Sequence, residues 1–135
     1  MFFLPLQHNH HNIKMNKKKA PHDPICFSEL AREWDFSDKE KVEVEIKRRL
    51  KYYGHQYNQS RIDYIRTLRN ELYKEISLNV KSKYYNKTNF EYKYSDYSDF
   101  DMKKMLTDYK IKYDEINDEN LLIIINMAIY WYYLR

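Results

Sequence analysis

Three observations predict an all-α protein: a small helical domain of about four to five helices built around an αα-hairpin. A single glycine and three prolines in 135 residues leave little material for tight hairpin turns. Apolar residues recur at three- and four-residue spacing over most of the chain. The composition, 43% hydrophobic and 33% charged, suits amphipathic helices around one modest core.

Residues 1–24 are predicted to be a disordered basic arm. Lys14, Lys17, Lys18 and Lys19 meet no acid before Asp23, and Pro21 and Pro24 argue against a helix. Its lysines follow the short apolar start instead of preceding it, and no Arg occurs before Arg32, so neither a secretory signal nor a mitochondrial presequence is read here. Met15 opens an alternative start, which leaves the first fourteen residues as an extension of little structural weight.

The ordered domain is expected over 25–135. Phe27, Leu30 and Trp34 fall at i, i+3 and i+7, a short helix with Ser28 as a cap. A clearer helix follows, opened by Ser37 and Glu40 as a capping box, with Asp38 favouring the positive end of the dipole. Val42, Ile46, Leu50 and Tyr53 form its apolar stripe, and Gly54 is a natural residue to end it. The next helix carries Ile65, Leu68, Leu72 and Ile76, flanked by Ile62 and Tyr73, and completes the predicted hairpin. The predicted helical core is therefore Trp34, Val42, Ile46, Leu50, Gly54, Leu68, Leu72 and Ile76.

Residues 81–101 change character. Tyr, Lys, Asn and Asp dominate, aliphatic residues vanish, and no single period is sustained, so this segment is read as an inserted polar loop. Met102, Met105, Leu106, Tyr109 and Tyr113 then mark a further helix. Asp118 is positioned to cap the last one, which is apolar from Leu121 to Leu134 except at Asn126. Those fourteen residues reach only ~21 Å, short of the ~30 Å hydrocarbon core of a bilayer, so membrane spanning is not expected.

The sequence offers little to an enzyme. One glycine supports neither a phosphate-cradling loop nor a dinucleotide fingerprint, so no cofactor is expected. Cys26 with His22 or His55 is the one conceivable thiolate pair, but a lone cysteine beside aromatic residues reads as a small buried hydrophobe. His8, His10 and His11 can grip a divalent ion, yet a mobile tail supplies nothing to orient them, and no metal is assigned. With 24 basic and 20 acidic residues the charge names no partner. Nucleic-acid binding through the arm and the Tyr-rich loop is disfavoured by Glu91, Asp96, Asp99 and Asp101 among the lysines.

Three pieces in order resemble the N-terminal regions of the FOP, TONNEAU and related centrosomal proteins that carry a LisH motif. They are I-K-R-R-L-K-Y-Y-G from Ile46 to Gly54, L-R-N-E-L-Y-K-E-I from Leu68 to Ile76, and E-N-L-L-I-I-I-N-M-A-I-Y-W-Y-Y-L from Glu119 to Leu134. The chain departs from that pattern between Gly54 and Leu68, in the Tyr-rich insert, and at Arg135, where the motif would add a second helix. The resemblance implies a non-enzymatic dimerising scaffold of the cytoplasm, at a centrosome, basal body or microtubule array. Its partners would be a second copy of itself and other cytoskeletal proteins. The association surface expected on the LisH-like helix is Leu122, Ile125, Ile129, Trp131, Tyr133 and Leu134. The competing expectations are a membrane-associated accessory subunit anchored by the last helix, and a weak single-strand-binding module.

Overall fold

A computed structural model describes residues 20–34, 38–86 and 99–134. Most of the predicted arm, Ser37 and the centre of the Tyr-rich insert lie outside these residues. Within them the chain forms five α-helices and one turn of 3-10 helix: α1 His22–Leu30, α2 Lys39–Tyr52, α3 Gln59–Ile76, the 3-10 turn Asn79–Lys81, α4 Met102–Lys112 and α5 Asp118–Leu134. The all-α class is as the sequence predicts.

Helix α1 starts three residues earlier than predicted, and its prolines do not prevent it. Pro21 occupies the cap position with an extended backbone, and Pro24 is the third helical residue. The first helical bond runs from the Ile25 N–H to the Pro21 carbonyl, so the N–H that Pro24 lacks is one that no helix start can use. Trp34 is not core. The helix ends at Leu30, the chain turns through Arg32 and Glu33, and Trp34 emerges 43% exposed with its ring stacked on Tyr73 at 5.6 Å.

The end of α2 is as read. Gly54 has φ +82°, its N–H donates to the Lys51 carbonyl, and the His55 N–H reaches back to the Leu50 carbonyl at 2.8 Å. This pair of bonds closes a helix through a left-handed residue, a conformation glycine adopts without a Cβ penalty. The start differs: Asp38 occupies the cap position, but its carboxylate accepts from the Trp34 N–H at 3.1 Å and not from the first turn of α2. Likewise α5 is capped by Asn117, whose side chain accepts from the Asn120 N–H at 2.8 Å, while Asp118 is already helical.

The predicted hairpin is opened. The close helix pairings are α1 with α2, α1 with α3, α1 with α5, α3 with α5 and α4 with α5, and consecutive α2 and α3 are not among them. Each packs on α1, whose Ile25, Cys26, Phe27 and Leu30 are almost fully buried. Val42, Ile46, Leu50, Ile62, Ile65, Leu68, Leu72 and Ile76 join them in one contiguous core with Leu121, Ile124, Ile125, Met127, Ala128 and Ile129 of α5. The ends of the Tyr-rich insert belong to that core as well. Tyr85 and Phe100 form an isolated antiparallel bridge, flanked by Asn86 N–H to Asp99 carbonyl and Asp101 N–H to Tyr84 carbonyl. Tyr84, Tyr85 and Phe100 are buried, so the solvated loop of the sequence reading does not begin at 81 or end at 101.

Candidate interaction surface

Helix α1 is nearly surrounded, yet it and the turn after it carry three buried acids, Asp23, Glu29 and Glu33. Each meets an arginine from a neighbouring helix. Arg61 of α3 makes two bonds to Asp23, at 3.1 and 2.8 Å. Arg49 of α2 reaches Glu29 at 2.8 Å and Ser28 at 2.6 Å. Arg66 of α3 takes Glu33 with two parallel bonds, at 2.9 and 3.0 Å, and Glu43 of α2 at 2.7 Å. Planar two-bond pairing suits guanidinium groups, and a buried carboxylate demands it. For Asp23 burial pulls the other way, but hydrogen bonds from His22 and Arg61 outweigh it and hold the carboxyl below its ordinary range. The sequence reading assigned these arginines no role. Only the tertiary arrangement shows that they bind α1.

The conceivable nucleophile is here too. His22 lies 3.9 Å from the Cys26 sulfur and packs edge-on against His55 at 5.6 Å, so the three residues named from the sequence do come together. Burial, reinforced by Asp23 and Glu43, pushes the Cys26 thiol up to about 12. At neutral pH it is a thiol packed as a small apolar group, which removes the reactive species. His55 is spent on structure: its Nε2 donates to the Ala20 carbonyl at 2.6 Å.

An open groove of about 280 Å³ lies between α3 and α4, with Glu71, Glu75, Tyr84, Asp108 and Tyr109 along it. Its carboxylates are engaged: Glu71 by Lys112, Glu75 by the Ser82 hydroxyl at 2.6 Å and Asp108 by the Tyr84 hydroxyl at 2.8 Å.

Helix α5 divides the expected association residues. Ile125 and Ile129 are 0% and 1% exposed, against α1, α3 and α4, and are not available to a partner. This corrects the expectation for those two residues, because the wide apolar face of α5 is consumed by the chain's own core. Trp131 and Tyr133 are half-buried. Tyr133 donates to Asn79 Oδ1 at 2.8 Å and sits 6.3 Å from the Phe100 ring. Leu122 and Leu134 remain outside, at 39% and 58% exposure, joined by Tyr130 at 40%, a residue the sequence reading did not select. With Asn126 between them, Leu122, Tyr130 and Leu134 follow one side of the helix at multiples of four residues.

An aromatic chain supports the C-terminal end of that side. Trp34 stacks on Tyr73, Tyr73 meets Tyr132 edge-on at 5.7 Å, and Tyr132 meets Tyr133 at 5.3 Å. The Arg69 guanidinium lies 4.9 Å from the Tyr73 ring. The stripe is thus carried by a helix whose inner face is packed and whose end is braced. Among the described residues no helix is long and apolar enough to cross a membrane.

These features define a small helical protein with an arginine-clasped central helix and a narrow outward apolar stripe on its last helix. No protein-family model, curated protein or solved structure matches this chain.

Proposed function

We propose that this chain is a non-enzymatic helical adaptor that self-associates through the outward stripe of α5. The observation that carries the reading is the exposure of Leu122, Tyr130 and Leu134 on a helix already rigidified by burial of its opposite face. A pre-organised helix loses little conformational freedom on docking, and aligned apolar side chains give a second copy something to exclude water from. Tyrosine at such a surface supplies contact area at low entropic cost. The engagement of Cys26 and of the groove carboxylates supports a binding role over a catalytic one. The resemblance of residues 119–134 to a LisH dimerisation helix points the same way. It makes a cytoplasmic, microtubule-organising setting with cytoskeletal partners the one to examine first.

Sedimentation equilibrium of the full chain tests the reading. A concentration-dependent dimer is expected, and Leu122→Asp with Tyr130→Asp should dissociate it while far-UV circular dichroism stays unchanged. A wild-type chain that remains monomeric at high micromolar concentration overturns it. Ile129→Asp is unsuitable for this purpose, since a buried charge there unfolds the protomer before it reports on association.

A further inference from the structure

The self-association proposed above leaves open which surface of the second copy receives the α5 stripe. We infer that it is the outward face of α2. The contact pairs α2 of one copy with α5 of the other and, in a two-fold dimer, is made twice.

Lys41, Val44, Arg48, Lys51 and Tyr52 follow the side of α2 opposite its buried Val42, Ile46 and Leu50. Two apolar side chains stand open on that side, Val44 at 57% and Tyr52 at 55%. They are eight residues apart, about 12 Å along a helix. Leu122 and Tyr130 on α5 have the same separation, so the two pairs of apolar side chains can meet in register.

The charges around them are opposite. On α2, Glu45 is taken by Arg48 at 2.6 Å and Glu43 turns to Arg66, so of that helix's acids only Glu40 stands exposed and unpaired among the described residues. Lys41, Lys47 and Lys51 form no ion pair among the described residues, and the Lys47 ammonium lies 4.7 Å from the Tyr57 ring. At the start of α5 the balance reverses: Asp114, Asp118 and Glu119 are exposed, and among the described residues only Asp118 has a cation near it, Lys110 at 3.3 Å. Helix α5 itself, Asp118–Leu134, carries no basic side chain to set against these acids in a symmetric α5–α5 contact, whereas α2 carries several beside apolar side chains of matching spacing. Charge complementarity of this kind fixes register and rejects the alternative pairing.

A charge exchange on the full-length chain tests the inference. One variant carries Lys41→Glu and Lys51→Glu, the other Asp114→Lys and Glu119→Lys; all four positions are exposed and outside the core. Each variant alone should lose about tenfold or more in self-affinity by sedimentation equilibrium, and an equimolar mixture should regain wild-type affinity as a heterodimer, because every α2–α5 contact is again of opposite sign. If the variants dimerise as well as wild type, or their mixture does not recover, α2 is not the receiving surface even though self-association stands. A wild-type monomer removes the underlying reading and this one with it. Should either variant lose helical signal, a salt titration of the wild-type dimer replaces it. Weakening with rising ionic strength is the expected result, and a salt-insensitive dimer overturns the inference.

Discussion

Replacing Arg66 with Met keeps most of the side chain's apolar volume and deletes its charge. Arg66 is 15% exposed, and its partners Glu33 and Glu43 are 10% and 17% exposed. Removing one member of a buried ionic group costs roughly 3–5 kcal/mol, because the remaining charges stay desolvated without a partner. Partial exposure of Glu43 and the loss of only a surface contact to Asp63, itself 60% exposed, place the expected cost of Arg66→Met at about 2–4 kcal/mol. That is a large share of the ~5–15 kcal/mol typical of a domain. Urea unfolding followed by far-UV circular dichroism and by tryptophan fluorescence measures it. The pH profile carries a second signature. Burial acts to raise Glu43, but its hydrogen bonds from Arg66, Tyr57 and Gln59 hold it below the ordinary value. A carboxylate lowered on folding contributes stability that is complete above its unfolded pKa and is lost as pH falls through the folded one. Wild type should therefore weaken below about pH 4.5. In the variant Glu43 loses the hydrogen bond and charge of Arg66 that lower it, so the same descent should cost less. Neutralising both acids as well, with Glu33→Gln and Glu43→Gln, should return at least half of the loss. A cost under about 1 kcal/mol, or a triple variant no better than the single one, would falsify the clasp as a buried ionic unit.

Ile129→Ala should cost about 2–4 kcal/mol in urea unfolding, as for other large-to-small core changes, and an unaltered midpoint would mean that α5 does not pack as described. Gly54→Ala places a side chain in open space at φ +82°, so about 1 kcal/mol of backbone strain is expected with no steric clash; equal stability of the two proteins would show the left-handed residue is not retained. The Cys26 thiol, raised to about 12 and inaccessible, should react with a disulfide reagent only after denaturant is added. Fast labelling of the native chain at neutral pH would contradict its burial.

Local chemistry makes the helices legible in the sequence. The stripe of Val42, Ile46 and Leu50, that of Ile65, Leu68, Leu72 and Ile76, and the terminator Gly54 all lie where helical spacing puts them. Capping residues are less legible, since several polar side chains compete for each helix start. Asp38 serves the Trp34 N–H, and Asn117 takes the role expected of Asp118. Proline misleads at α1 because a missing N–H matters only beyond the first turn.

Periodicity and backbone preference act within a few residues, so they suffice to specify an all-α chain with a helix end at Gly54 and an apolar last helix. Contacts between residues far apart in the chain settle the rest. They lay α1 against α2, α3 and α5, clasp it and the turn after it to α2 and α3 through Arg49, Arg61 and Arg66, leave Trp34 outside, and turn Ile125 and Ile129 inward while Leu122, Tyr130 and Leu134 stay exposed. An almost uniformly apolar helix has no preferred inner side of its own. Which residues of α5 remain exposed is set by where α1, α3 and α4 come to rest against it.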